Sequence, residues 1–378
     1  MAKLTTVGTE MTKKVRIPGI KGIELVSMHA DALQKRFDQL GGSKFFGALE
    51  KKEGSIWYYK GGCLCYNAKL KKVFEIHGAI YEKWKKLGGK KWGIPNTDEL
   101  TCPDRTGKFN HFNENTASIY WSPKSGANGI WGDIRKKWSS LGWERCYLGY
   151  PTSDEVNFPD GGRVNSFQGG GIYWWSDIGA IDLNNVAVQY KGLVCIKETG
   201  EISGSDEPYV LMGVLTPFGG KGYRSRTYGS VDSNTSRPDL LDLYTGKPNG
   251  ISIDVILMEN DHGDPEKHRK QVTAAFEKAH QLGTAALGFI PVVGIGIAAV
   301  LGPLIQHFVP QIGAAINNFL GLGDDQIGKQ RITLTGKDMI LIAKQGSSTY
   351  KNVSFKFSTN NLRGHNANYK VYFSIVPV

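Results

Sequence analysis

The chain lacks the short motifs that announce the commoner enzymes. It has no Gly-x-Ser-x-Gly elbow, no Walker phosphate loop and no His-Glu-x-x-His helix, so hydrolase, nucleotide-dependent and zincin chemistry have no foothold. A dispersed carboxylate pair would leave no motif, but the reading adopted is a protein that binds and is not an enzyme. Cysteine is scarce. Cys63, Cys65, Cys102, Cys146 and Cys195 are odd in number and lack metal-ligand spacing, so they read as mostly free thiols. A helix-turn-helix pattern, a zinc finger and a compact basic stripe are missing too, which makes nucleic acid a poor expectation despite a net charge of +11. The opening MAKLTTVGTEMTKKVRIPGI contains no apolar run of the secretory-signal kind. The expected location is extracellular or at the cell surface by a non-classical route, with cytoplasmic storage as the other reading.

What is present is length and a spread of basic residues. With 378 residues and 40% hydrophobic content, two domains are expected, because single cores rarely grow past roughly 250–300 residues. Clusters such as KWKKLGGKKW suit anionic partners, acidic glycans or lipid headgroups among them. The oligomeric state leaves no mark in the sequence.

The first half repeats itself. IHGAIYEKWKKLGGKKWGIPNTDE aligns with IWGDIRKKWSSLGWERCYLGYPTSDE, placing Trp84 on Trp138, Leu87 on Leu141, Gly93 on Gly149, Pro95 on Pro151 and Asp98 on Asp154. A second block, FNHFNENTASIYWSPKSGA, aligns with VNSFQGGGIYWWSDIGA, and a degenerate copy supplies Phe37, Leu40, Gly47 and Ile56-Trp57-Tyr58. Residues 22–182 are thus read as three copies of one unit. Ile80, Trp84 and Leu87 share a helical face that Gly88 ends, and Phe109, Phe112, Ile119 and Trp121 alternate as short strands, so each copy predicts a helix plus a small hairpin.

Gly93-Ile94-Pro95, Leu148-Gly149-Tyr150-Pro151, the Trp-x-x-Leu-Gly lead-in and the Ile-Tyr-Trp block resemble the LGFP repeat, in the second and third units above all. The resemblance implies a module of cell-envelope and secreted proteins that holds cell-wall polysaccharide. Aromatic faces stack on the C–H face of a sugar and carboxylates accept its hydroxyls, so Tyr120, Trp121, Tyr173, Trp174 and Trp175 with Asp98 and Asp154 form the candidate carbohydrate site. Against this, Trp84, Trp138, Trp121 and Trp174 stand at periodic positions that favour a core. Trp175 breaks the repeat and is the one expected to be exposed.

The second half, 186–378, consists of β-rich runs whose acidic residues collect past strand ends, predicting an antiparallel β-sandwich. Hard oxygen ligands on converging loops suit Ca2+, and the candidates are Glu198, Glu201, Asp206, Glu207, Glu259, Asp261, Asp264, Asp324 and Asp325. VILMENDHGD and GLGDDQIGKQRITL are similar to the strand and acidic-loop order of the C-two type sandwich, a calcium-dependent lipid-binding module. That resemblance implies calcium ligation by Asp261, by Asp324 or Asp325, and by Asp206.

Where that module has a short loop, this chain has residues 265–323. Pro265, Glu266 and the spacing of Val272, Phe276 and His280 predict an amphipathic helix. After Lys278 no Asp, Glu, Lys or Arg appears until Asp324, which predicts an apolar helical hairpin either packed on the sandwich or entering a lipid membrane through Phe289, Val292, Ile297 and Leu301. The expectation is therefore an α+β chain, three helix-plus-hairpin repeats followed by a sandwich with an inserted hairpin, that binds a cell-surface glycan. Its rival is a pore-forming toxin that the repeats target and whose 284–323 hairpin inserts.

Overall fold

The computed structural model describes residues 29–200, 204–260, 264–286 and 325–378. Two compact units divide them, one through Asp182 and one from Leu183, the stretch Asn157–Arg163 going with the second.

In the first unit a short helix and a four-stranded antiparallel sheet alternate three times. Helices α1 (Ala30–Gln39) and α2 (Ser43–Phe46) precede β1 (Leu49–Glu53), β2 (Ile56–Tyr59), β3 (Gly62–Asn67) and β4 (Lys72–His77). Helix α3 (Gly78–Leu87) leads to β5 (Leu100–Thr101), β6 (Lys108–Phe112), β7 (Ala117–Ser122) and β8 (Gly126–Trp131). Helix α4 (Gly132–Leu141) leads to β9 (Val156–Phe158), β10 (Gly162–Phe167), β11 (Gly170–Trp175) and β12 (Gly179–Leu183). Each sheet keeps its strands in chain order. Gly88 and Gly142 end α3 and α4 in the left-handed region, at φ 118° and 101°, where a Cβ would be strained.

The second unit begins with β13 (Val186–Lys197), β14 (Pro208–Thr216), β15 (Gly219–Arg224), β16 (Ser236–Gly246), β17 (Ile251–Glu259) and helix α5 (Pro265–Ala286). It continues with β18 (Asp325–Leu334), helix α6 (Gly336–Lys344), β19 (Ser348–Tyr350), β20 (Val353–Phe355), β21 (Phe357–Ser358), β22 (Leu362–Gly364) and β23 (Ala367–Pro377). One sheet runs β16-β13-β23-β21 with β22 also on β23, a second runs β15-β14-β17-β18, and β19 pairs with β20. All nine residues of β14 and all nine of β17 are buried, so neither shows the in-out alternation of a strand with one face in water. Helix α5 lies on β14 and β15 because glycine clears its path: a Cβ on Gly213 would stand 2.2 Å from Phe276 Cε2 and one on Gly220 2.3 Å from the Phe276 carbonyl oxygen. Val272 and Phe276 are the buried face of that helix. Across β17 and β18, Asp254 accepts two hydrogen bonds from Arg331, at 2.6 and 2.5 Å.

These elements correct the expected α+β class. The described chain is mostly β, built from several antiparallel sheets and few helices; it is not an array of helix-plus-hairpin repeats. The hairpins were half of each sheet. The missing strand that leads into the next helix, as in Gly126-Ala-Asn-Gly-Ile-Trp131, carries two glycines and an asparagine and shows no apolar alternation. The described residues contain no apolar helical hairpin; residues 287–324, with Phe289, Val292, Ile297 and Leu301, lie outside them.

Candidate functional site

The Gly-x-Pro segment of the second and third repeats is a strap that ties one sheet to its predecessor. In the second unit, Asn96 N–H donates to the His111 carbonyl at 2.9 Å, and Ile94 N–H to Asn113 Oδ1 at 3.1 Å. The Thr97 hydroxyl accepts from His111 N–H at 2.9 Å. In the third unit Thr152 N–H donates to the Ser166 carbonyl at 2.8 Å, Tyr150 N–H to Gln168 Oε1 at 3.1 Å, and Ser153 Oγ accepts from Ser166 N–H at 3.0 Å. Pro95 and Pro151 each make a single bridge, to Phe112 and Phe167. A proline fits because it has no N–H to leave unpaired beside the strand.

The carboxylate that follows each proline is part of the tie. Asp98 accepts from Glu75 N–H at 2.9 Å and from Arg36 at 2.6 Å; Asp154 accepts from Gly129 N–H at 2.7 Å and from Lys83 at 2.7 Å. Arg36, Lys83 and Lys137 hold one position on α1, α3 and α4, and Lys137 pairs with Asp182 at 2.9 Å. Each helix thus offers its cation to a carboxylate at the far edge of its own sheet. Asp98 and Asp154, expected as sugar acceptors, have oxygens engaged between successive units. The strap partners Thr97, Ser153, Asn113 and Gln168 were missed by sequence reasoning; the spacing Ser/Thr two residues after proline was the signal that carried them.

The aromatic residues divide by strand face. Tyr120, Tyr173 and Trp175 are buried, Trp175 being 1% exposed. Trp175 stacks with Tyr173 at 6.5 Å between ring centres, and Tyr120 stacks on Phe109 at 4.9 Å. The expectation that Trp175 is the exposed ring is therefore corrected: it shares a face with Tyr173 two residues back, and Trp174 points the other way. Trp121 and Trp174 are half-buried, as is Tyr66 at the matching place on β3; the sequence alignment puts Tyr58 there, but Tyr58 lies on β2, the second strand of its sheet. Trp174 Nε1 donates to Asp133 at 3.2 Å. The fully buried indoles are Trp84, Trp138 and Trp175.

A buried polar group accompanies the second unit's aromatics. Ser118 Oγ accepts from Arg135 Nε at 2.7 Å and lies 2.7 Å from His111 Nδ1, while the Arg135 guanidinium covers the Trp143 ring at 4.8 Å. Burial first, and the Arg135 charge second, press the His111 imidazole down to about 4.

Among the described residues, the acidic side chains expected to hold Ca2+ do not form one cluster. Asp206 is 2% exposed, with both oxygens accepting from Thr199 N–H at 3.0 Å, and it also receives the Thr199 and Tyr369 hydroxyls. Glu198 accepts from Ser233 N–H at 3.0 Å, and Asp264 caps α5 by accepting from the N–H groups of Glu266 and Lys267. Glu259 accepts from Glu207 N–H at 2.5 Å. Asp325 opens β18 opposite Glu259; Glu201, Asp261 and Asp324 lie outside the described residues. Among the described residues, the three ligand groups that converge are Cys102, Asp104 and Glu144, in the first unit.

With this geometry in view, the class of module is defined: residues 93–145 and 148–189 match the LGFP repeat. The chain carries LGFP repeats across residues 93–189, the straps and sheets of its second and third units. No curated protein matches the chain.

Proposed function

We propose that the protein is a non-catalytic glycan-binding protein whose LGFP repeats hold a cell-surface polysaccharide. The observation behind this is the placement of Tyr66, Trp121 and Trp174 at one strand position in successive units, each half-buried. Partial burial fixes a ring while leaving surface to lie against a sugar, and a repeated ring suits a repeated ligand. Exposed Lys86, Lys90 and Lys91 beside the second strap favour an acidic polymer. Replacing Trp121 and Trp174 with alanine should release the protein from insoluble cell-wall polysaccharide while circular dichroism stays unchanged. Undiminished pull-down by the folded double variant would end the aromatic-row reading.

Calcium belongs to this proposal through Glu207 and Glu259, which meet where β14 begins beside the end of β17, with Glu201, Asp261, Asp324 and Asp325. Calorimetric titration with Ca2+ should give heat that Glu259→Gln removes; a flat titration of the intact chain ends that part. The alternative, a membrane-active toxin, rests on the uncharged stretch from Lys278 to Asp324. No helix among the described residues is long and apolar enough to cross a membrane. Dye release from lipid vesicles, with Ca2+ and with chelator, tests it: calcium-dependent leakage puts insertion first, and intact vesicles in both conditions remove it.

A further inference from the structure

Where the third repeat departs from the second, three ligand groups meet. Glu144 stands where the second unit has the exposed Lys90, and Cys102 stands where the third unit has Phe158. Neither substitution is asked for by the repeat, yet the Cys102 thiol and the carboxylates of Asp104 and Glu144 all lie within 4.8 Å of one another.

Glu144 is the informative member. It is 6% exposed, and neither carboxylate oxygen has a hydrogen-bond partner. A buried carboxylate is costly unless a cation or a proton joins it. Glu144 follows an unusual residue: after Gly142, Trp143 adopts a left-handed backbone at φ 60°, where the second unit has Gly89 at φ 59°. A bulky residue rarely adopts that conformation. The left-handed residue is thus shared by both units, yet the Glu144 side chain is buried where Lys90 after Gly89 is exposed.

The other side is pre-arranged as well. Asp104 Oδ1 accepts from Tyr150 Oη at 2.7 Å and from Thr106 N–H at 2.8 Å. Tyr150 reaches it across Gly107, where a Cβ would stand 2.5 Å from the tyrosine ring. These bonds orient the carboxylate as outer-shell partners orient metal ligands. Asp104 is exposed and gives an ion its way in.

We propose that Cys102, Asp104 and Glu144 bind a zinc-like divalent cation that staples the second repeat unit to the third. One sulfur and two carboxylate oxygens suit the borderline character of Zn2+, with a water or the Tyr150 hydroxyl completing four-coordination, and they suit Ca2+ poorly. Zinc bonds of roughly 2.0–2.3 Å require the three ligand atoms to close by roughly 1 Å, a movement within reach of side-chain rotation. The ion would neutralise Glu144, which no protein donor serves.

The test uses the full chain, reduced and stripped with chelator, and Co2+ as the probe. Co2+ should raise thiolate-to-metal absorption and the visible bands of a four-coordinate ion, saturating at a single equivalent, and Zn2+ should abolish both. Cys102→Ser should remove the thiolate band; Glu144→Gln and Asp104→Asn should weaken binding roughly tenfold or more. Asp104 is at the surface, so its variant reports even if a buried variant fails to fold. Cys63→Ser, which alters the pair Cys63 and Cys65 with sulfurs 3.7 Å apart, should leave the spectrum unchanged. No thiolate band with the folded wild-type chain would overturn the proposal, as would a band that survives Cys102→Ser or disappears in Cys63→Ser.

Discussion

The second and third repeat units make the same strap with different side chains. Asn113 in one and Gln168 in the other accept the same N–H; Thr97 and Ser153 receive the same strand. What is fixed is the backbone demand for an acceptor at a given place, and any side chain that delivers an oxygen there serves. The units differ where no backbone group is at stake. Trp84 Nε1 donates to the Gly93 carbonyl at 2.8 Å, whereas Trp138 Nε1 at the matching position has no partner. His111 occupies the position that Ser166 fills in the third unit.

The largest expected effects break that comparison at the indoles. Trp84→Ala and Trp138→Ala each remove a fully buried side chain and should cost about 3–5 kcal/mol in urea denaturation. Phenylalanine separates them. Trp84→Phe also leaves the Gly93 carbonyl without its donor, a further penalty of about 1–3 kcal/mol, while Trp138→Phe deletes an N–H that was unpaired already. Equal costs for the two phenylalanine variants would show that the Trp84 hydrogen bond contributes nothing.

The next effect belongs to the second unit alone. His111 is held neutral to about 4, whereas an unfolded histidine takes up its proton near 6.5. Between those values the unfolded chain binds more protons, so stability present above about pH 6.5 is lost as pH falls towards 4, by about 3 kcal/mol in all. His111→Ser, which copies the third unit, should flatten that part of the stability profile. His77 acts in the opposite sense and in another window. The hydrogen bond to Glu75 raises its pKa against the opposing effect of burial, so its contribution is complete below about 6.5 and fades as pH climbs through the raised value. A profile of His111→Ser that still falls steeply between pH 6.5 and 4 would place the burden on other groups.

The repeat was legible because the strap imposes glycine, proline and a carboxylate at fixed distances, and α5 was legible because Pro265, Glu266, Val272 and Phe276 state a helix start and a buried face. The fourth strand of each sheet was not: Gly126–Trp131 shows no alternation, since its pairing with β7 supplies the stability that propensity does not. Trp175 was placed on the wrong face because a break in the repeat was read as exposure, although Tyr173 and Trp175 share strand parity. Asp206 looked like a calcium ligand because nothing local announces that Thr199 and Tyr369 consume its oxygens. Cys102 and Glu144 are joined only by packing of successive units. Their departure from the repeat pattern was visible all the same, as cysteine for phenylalanine and glutamate for lysine.

The smallest effect is the sharpest test of what joins the units. Asp98 and Asp154 each combine a backbone N–H with a basic side chain from the helix of the preceding unit, and the side chains of the pairs Arg36–Asp98 and Lys83–Asp154 are between 19% and 34% exposed. Asparagine keeps an oxygen for the N–H and discards only the charge, so screening by water limits the loss to about 1 kcal/mol or less in either unit. Alanine discards both and leaves the N–H of Glu75 or Gly129 without an acceptor, for about 1–2 kcal/mol more. If the tie is chiefly a backbone strap, asparagine should be nearly silent at both positions and added salt should change little. If it is chiefly an ion pair, asparagine should cost as much as alanine and salt should weaken the wild type by the same amount. The expected result is the first, because the carboxylate is fixed by the neighbouring strand whether or not a long basic side chain reaches it.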